Sequence, residues 1–373
     1  MSKLKDTYMI KPDAPFFLKE FGYYCLDRWI AEGHLDPKDK HADYNAYLRD
    51  VFGFDEPQIH GLGMLGGTTA PFMPGFPVEV LEDRGAHEVV RDAAGRHVLY
   101  FKNRRDGFMP EYIDHPVKDM ATWESECKWR LDPDTPERIA GNEAAGRIAA
   151  DARADGKLVS QYFVGAYMYL RSLMGPTELL YNFYDQPELI HACMEQWYNV
   201  MTKTMARYQK YVTIDELLID EDICYNVAPL ISYDMMREFL FPYYKQLIAD
   251  VKARQLDKNA KLFVHLATDG KIETVMDIYA EEIGANVFSP FEVASGCDVV
   301  ELGKKYPNVV MSGGIDKRVL ATTPEQIDRY LDGILPAMRK RGGYIPTCDH
   351  GVPEEVSFEN YVHYRKRVAE YAK

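Results

Sequence analysis

Short apolar runs alternate with amphipathic segments through the second half of the chain. Strand-like runs lie at residues 158–163, 217–219, 262–266, 286–288, 309–311 and 344–345. Segments with helical spacing lie at 176–210, 232–254, 271–283, 299–305, 324–341 and 357–371. Unalternating apolar strands separated by helices are typical of a parallel sheet buried on both faces. Six such units predict a (β/α)8 TIM-type barrel.

The first half of the chain is less regular. Helical spacing appears at 14–32 and 44–52, and a short strand is predicted at 58–62. Three short alternating segments then predict a β-meander, at 78–83, 88–92 and 97–102. We interpret residues 1–373 as a single domain. Residues 1–150 form an N-terminal helical and β-meander elaboration with the first barrel elements, and residues 151–373 form the regular β/α units.

Ionisable side chains follow most of the predicted strands. In such barrels the residues after a strand face the active-site mouth. The groups are Asp220, Glu221 and Asp222; Thr268 and Asp269; Ser289 and Glu292; Asp316 and Lys317; and Cys348, Asp349 and His350. One acid after a strand is often only a helix N-cap, and for Asp316, which precedes a helix, that interpretation stays open. The repeated clusters favour a functional site at this rim.

His265 is the most informative of these residues, because it lies inside the apolar strand LFVHLA. A lone histidine in a strand is often a core residue. Here Glu221, Cys348 and His350 are all predicted at the same rim, and zinc prefers nitrogen, carboxylate and thiolate ligands. We therefore predict a zinc site with Glu221, His265 and Cys348 as ligands and a fourth position open for substrate. Whether Cys348 or His350 faces the pocket stays open.

The stretch QYFVGAYMYLRSLMGPTELLYNFY is unusually aromatic. Barrel packing would account for most of these rings. Alternatively Tyr167 and Tyr169, just past a strand, line a pocket for an apolar or aromatic substrate.

Charge and cysteine usage limit the ligands and the cellular compartment that we expect for this protein. The chain has 44 Lys and Arg against 58 Asp and Glu, a formal net charge of −14. This argues against a nucleic-acid groove and an anionic membrane surface. No apolar stretch is long enough to span a membrane, and the six cysteines form no CxxC pair. We expect a cytoplasmic protein with reduced thiols.

Four segments of the last 160 residues carry a family resemblance. They are LLIDEDICYNVAPLISYDMMREFLFPYYKQLI, FVHLATDGKIETVMDIYAEEIGANVFSPFEVASGCDV, VVMSGGIDKRVLATTPEQI and GGYIPTCDHGVPEEVSFENYVHY. Together they resemble the uroporphyrinogen decarboxylase superfamily, whose decarboxylases bind a polycarboxylate through an early arginine-rich loop. This chain has only Arg28 and Arg49 among its first 55 residues. The resemblance is therefore closer to the cobamide-dependent methyltransferase branch.

That resemblance implies methyl transfer from a small methyl donor to a cobamide. No DxHxxG-type motif is present, so the cobamide would be carried by a separate corrinoid protein. Thiol-methylating members hold zinc with an HxC pair, but Ala267 stands where that cysteine would be. A zinc site with a different set of ligands thus makes the chain more similar to enzymes that demethylate methoxylated aromatics.

In such an enzyme zinc would act as a Lewis acid on the ether oxygen. Asp222, Asp269 or His350 would protonate the leaving oxygen. Tyr167, Tyr169 and Asp316 would contact the substrate. The alternatives are a decarboxylase and an inactive barrel that serves as a binding protein. Association of identical copies is left open.

Overall fold

The computed structural model describes residues 2–68, 71–102 and 110–373. Seven strands form one parallel sheet: β1 (Ile59–Leu65), β6 (Leu158–Val164), β7 (Glu216–Asp220), β8 (Phe263–Ala267), β9 (Val287–Ser289), β10 (Val310–Ser312) and β11 (Tyr344–Ile345). Their order in the sheet is their order in the chain, so each connection returns to start a neighbouring strand. The fold class is the predicted TIM barrel.

Helices make the return connections. In chain order the α-helices are α1 (Lys3–Tyr8), α2 (Leu26–Ala31), α3 (Tyr44–Phe52), α4 (Met120–Thr122), α5 (Pro136–Ile139), α6 (Asn142–Ala154), α7 (Ala166–Met174), α8 (Pro176–Asp185), α9 (Pro187–Tyr208), α10 (Tyr233–Met235), α11 (Phe241–Arg254), α12 (Glu273–Ile283), α13 (Val299–Lys305), α14 (Pro324–Arg341) and α15 (Phe358–Ala369). The local sequence determines where several of these helices begin or end. For example, α14 begins with a Thr323–Gln326 capping box, and α12 ends at Gly284 with φ of 73°.

An extended N-terminal segment, residues 14–22, lies between β11 and β1. Its Glu20 accepts a hydrogen bond from the backbone N–H of Cys348 at 2.8 Å, just beyond β11. Leu18 exchanges hydrogen bonds with Asp55, which precedes β1, at 2.7 and 2.9 Å. The segment thus takes the place of an eighth strand without a regular ladder. Side chains from it and from α1 pack with inward-facing strand residues in an apolar plug: Leu4, Tyr8, Phe17, Leu158, Phe263, Val287, Val310 and Ile345.

The predicted meander is a four-stranded antiparallel sheet. It contains β2 (Glu79–Arg84), β3 (His87–Arg91), β4 (His97–Phe101) and β5 (Glu111–Asp114), paired in that order. Strand β5 was not predicted, because its side chains are mostly exposed and its sequence therefore shows no alternation of apolar and polar residues. Within the described ranges no helix is long and apolar enough to cross a membrane.

Candidate active site

The floor of the barrel mouth is formed by the last inward-facing residue of each of five strands. Register places Val164, Asp220, Ala267 and Ser289 side by side, and Ser312 follows on β10. Apart from the acid, these side chains are small, which leaves room above them. Asp220 and Ala267 are partly exposed although they face the barrel axis. The layer is therefore accessible at Asp220 and Ala267, whereas Val164, Ser289 and Ser312 are buried.

Asp220 is the acid of the floor. The hydroxyl of Tyr162 donates a hydrogen bond to its Oδ2 at 2.8 Å. Burial raises the pKa of Asp220, and the nearby carboxylates of Asp222 and Asp269 add to this, against the opposing effects of Tyr162 and Arg171. Asp220 therefore retains its proton to a higher pH than an exposed aspartate does.

Two of the three predicted acid–base residues, Asp222 and Asp269, lie near enough to Asp220 to raise its pKa. Asp222, in a left-handed turn with φ of 43°, forms an ion pair with Arg171 of α7. Asp269 lies 3.6 Å from Nε2 of the third residue, His350. The nearby carboxylate of Asp269 raises the pKa of His350, and burial opposes this effect. The structure thus links Asp222 and Asp269 to Asp220, and His350 to Asp269.

Two cations of the described part of this mouth, Arg171 and Lys317, are paired with carboxylates. Besides the Arg171–Asp222 pair, Lys317 lies 3.4 Å from Glu292 and 3.9 Å from Asp349. These two cations therefore add no unpaired positive charge to the site.

Asp316, the predicted substrate contact, is held within its own loop. Its carboxylate accepts hydrogen bonds from the guanidinium of Arg318 at 2.9 and 2.8 Å and from the Arg318 backbone N–H at 2.9 Å. Its side chain is buried. These contacts occupy the Asp316 carboxylate within its own turn, whereas the N-cap of the 3₁₀ helix that follows is Arg318.

Two of the three predicted zinc ligands, Glu221 and Cys348, are fully buried. Glu221 follows Asp220 directly and therefore lies on the opposite, outer face of the barrel wall. There it accepts hydrogen bonds from the hydroxyls of Tyr244 and Tyr279, the second at 3.0 Å, and burial raises its pKa to about 8. Cys348 is fully buried and far from ionising, because burial raises its pKa well above the ordinary value.

The third predicted ligand, His265, faces the barrel interior below the floor. Its Nδ1 lies 3.1 Å from Glu216 and its Nε2 lies 2.8 Å from Ser289. Among the described residues, no three His, Cys, Asp or Glu side chains are placed to share a metal ion. Glu221, His265 and Cys348 do not converge, so this ligand set does not fit zinc.

The two predicted substrate tyrosines are both in the packed core. Tyr167 and Tyr169 are 1% and 2% exposed. Tyr167 donates its backbone N–H to Glu221 at 3.3 Å, and burial raises the pKa of its hydroxyl to about 12. Their burial favours the packing interpretation of the aromatic stretch. The partly exposed ring near the floor is instead Tyr162.

Sequence reasoning overlooked Glu216, Tyr162 and Arg171 as site residues. A usable signal was the alternation of Glu216, Leu218 and Asp220, which places two acids on one face of a buried strand. The predicted strand began one residue late, at position 217. Glu216 was therefore outside the pattern.

A parallel α/β barrel with acids at its strand ends defines the class of this protein. The family model described as uroporphyrinogen decarboxylase (URO-D) matches residues 132–371, more than half of the chain. The chain belongs to the uroporphyrinogen decarboxylase family.

One solved structure supports the fold, and a second is more distant. A methyltransferase from Methanosarcina mazei is similar, with a TM-score of 0.60 and 12% identity over 100% of this chain and 98% of that one. A putative vitamin-B12-independent methionine synthase from Listeria monocytogenes has a TM-score of 0.40 and 11% identity over 95% and 97% of the two chains, too distant to support an argument. No curated protein sequence matches the chain.

Proposed function

We propose that this protein is a methyltransferase that moves a methyl group from a small donor to the cobamide of a separate corrinoid protein. A methoxylated aromatic compound is the donor class that we favour. The acidic mouth is the observation that carries the proposal. Asp220, Asp222 and Asp269 lie there together with His350, and among the described residues Arg171 and Lys317 are paired with carboxylates.

This charge distribution disfavours the decarboxylase alternative. A porphyrinogen bears many carboxylates, and a site that binds it needs concentrated cationic donors. Arg171 and Lys317 are each bound to carboxylates of this chain. A neutral methyl ether carries no carboxylates, so the acidic side chains of the mouth do not repel it.

Proton supply is the chemistry that these residues offer. When an aryl methyl ether loses its methyl group, the leaving oxygen becomes a phenolate and needs a proton. Asp220 is suited to supply it, because burial keeps its carboxyl protonated to a higher pH. The Asp269–His350 pair is a second source. The partner's cobamide would supply the group that accepts the methyl. No step is assigned to zinc, because the three predicted ligands do not fit it.

Methyl transfer to cob(I)alamin tests the proposal directly. The protein would be mixed anaerobically with cob(I)alamin, or with a reduced corrinoid protein, and a panel of methoxylated benzoates and phenols. We expect the methylcob(III)alamin spectrum to appear with at least one donor. An unchanged cob(I)alamin spectrum across the panel, with porphyrinogen decarboxylation instead, would favour the alternative.

A pair of matched variants assigns the acid. Asp220→Asn should slow methyl transfer about 100-fold, the usual scale for a lost general acid. Asp234→Asn is the control, because the Asp234 side chain is 95% exposed on α10. Equal rates for the two variants would remove Asp220 from the mechanism.

The cytoplasmic location and any association of identical copies remain predictions.

A further inference from the structure

A cavity of about 440 Å³ lies in the barrel wall between β11 and β1, beside the N-terminal segment 14–22. Its outer end is at α3, where Asn45 is exposed. Its inner end reaches buried residues of the apolar plug, among them Phe17 and Ile345. The cavity therefore leads from the protein surface to an apolar interior. We call it the lateral cavity.

Lys19 is a charged residue of the lateral cavity whose side chain has no partner. Within the described residues its Nζ atom makes no hydrogen bond and no ion pair, and it is not one of the unpaired atoms that are completely enclosed. The side chain as a whole is partly exposed. The amine of Lys19 is therefore accessible to a molecule that enters the lateral cavity.

The other charged side chains of the lining are engaged elsewhere. Arg49 and Asp55 each form an ion pair with a residue outside the lining, at 3.1 and 2.8 Å. Glu20 lies 3.9 Å from Arg365 of α15. Lys19 thus differs from these three residues, because its charged group is left to the cavity.

Burial decides the chemistry of this amine. Burial lowers the pKa of Lys19, and the carboxylates of Glu216 and Glu20 oppose this effect. An ammonium group in an apolar place loses its hydration, whereas the neutral amine loses less. A lysine attacks a carbonyl carbon only as the neutral amine, so desolvation makes Lys19 a better nucleophile than a surface lysine.

We propose that the lateral cavity binds a small, mainly apolar aldehyde and that Lys19 condenses with it to form an imine. The buried inner end, at Phe17 and Ile345, suits the hydrocarbon part of such a molecule. The volume of the cavity is within the range of small-molecule sites.

The condensation balances without a further reactant. Nζ of Lys19 attacks the carbonyl carbon, and a C–N bond forms. The carbonyl oxygen takes the two protons of the amine and leaves as water, which leaves a C=N bond. No atom is oxidised or reduced.

This site does not rest on the proposed methyl transfer. The mouth acids Asp220, Asp222 and Asp269 do not line the lateral cavity. Imine formation also needs no cobamide. The two reactions can therefore be tested separately.

Competitive labelling of the wild type tests the amine without a variant. The protein would be treated with a trace of acetic anhydride over a range of pH, and acetylation of each lysine would be measured by peptide mass spectrometry. Lys19 should be labelled several-fold faster than Lys157, which is also partly exposed but lies outside the lateral cavity. Its labelling should begin at a lower pH in the folded protein than in the urea-unfolded chain. Equal or slower labelling than Lys157, or the same pH dependence in both states, overturns the reactive amine.

Imine capture tests the class of ligand. The protein would be incubated with benzaldehyde and cyanoborohydride, which reduces an imine to a stable amine. We expect one benzyl group per chain, on Lys19, and much less adduct with glyceraldehyde, which is polar. Lys19→Arg, which keeps a cation, should lose the benzyl group, and Lys157→Arg should retain it. Benzyl groups spread over the lysines without preference for Lys19 would refute the proposal.

Gly22 allows the lateral cavity to be narrowed. It belongs to the lining, and a Cβ there would meet no atom within 4 Å, so the fold has room for a larger side chain. Gly22→Leu should slow the capture of benzaldehyde several-fold. Gly333→Leu is the control, because it makes the same change in open space on α14, outside the lining. Equal capture by the two leucine variants overturns the lateral cavity as the binding site, whatever the outcome of the methyl-transfer assay.

Discussion

Glu221 allows a quantitative test of the electrostatics of the barrel wall. This carboxyl group is fully buried, and burial raises its pKa from 4.5 to about 8. The folded protein therefore keeps a proton that the unfolded chain has lost between those pH values. By linkage, stability is highest at low pH in this window and falls as pH rises through the folded-state pKa.

The magnitude follows from the size of the shift. Each pKa unit corresponds to 1.36 kcal/mol, so a shift of about 3.5 units amounts to ~5 kcal/mol. Glu221→Gln supplies a neutral amide of the same shape, which the hydroxyls of Tyr244 and Tyr279 can still contact. We expect the variant to lose most of this pH dependence. Its absolute stability is less informative than the slope, because the amide also rearranges hydrogen bonds.

Urea unfolding between pH 5 and pH 9, flanking the pKa shift of Glu221, measures the slope. The free energy of unfolding of the wild type should fall by several kcal/mol relative to that of Glu221→Gln. Glu216→Gln serves as the comparison, because the pKa of Glu216 is lowered and its contribution is lost only in acid. Parallel curves for wild type and Glu221→Gln would refute the assigned burial effect.

Three further substitutions test local packing and charge. A Cβ at Gly165 would lie 1.6 Å from Oε2 of Glu221, so Gly165→Ala should lower the free energy of unfolding by about 3 kcal/mol in denaturant titration. Gly333→Ala, in α14 with open space around its Cβ, should instead raise it by up to about 1 kcal/mol. Asp269→Asn should lower the pKa of His350 in an NMR titration, because it removes the nearby carboxylate that raises that pKa. An unchanged titration of His350 would contradict that pairing.

The sequence alone determined many of the local elements, although the helical spacing at 14–32 corresponds to an extended segment over 14–22 and a helix only at Leu26–Ala31. The bounds predicted for 299–305 and 324–341 are those of α13 and α14. Amphipathic spacing and helix-capping residues are local features, so they can be read without knowledge of the neighbours. The parallel barrel also followed from sequence, because buried strands in alternation with helices leave few other arrangements.

Only the tertiary structure decided which side chains meet. Successive strand residues face opposite sides, so Asp220 reaches the mouth while adjacent Glu221 is enclosed between the wall and its helices. The partners of His265, Glu216 and Ser289, lie 49 and 24 residues away and meet it only through strand register. No local pattern encodes such long-range contacts. This is why the predicted acid–base residues converge at the mouth while the predicted zinc ligands do not.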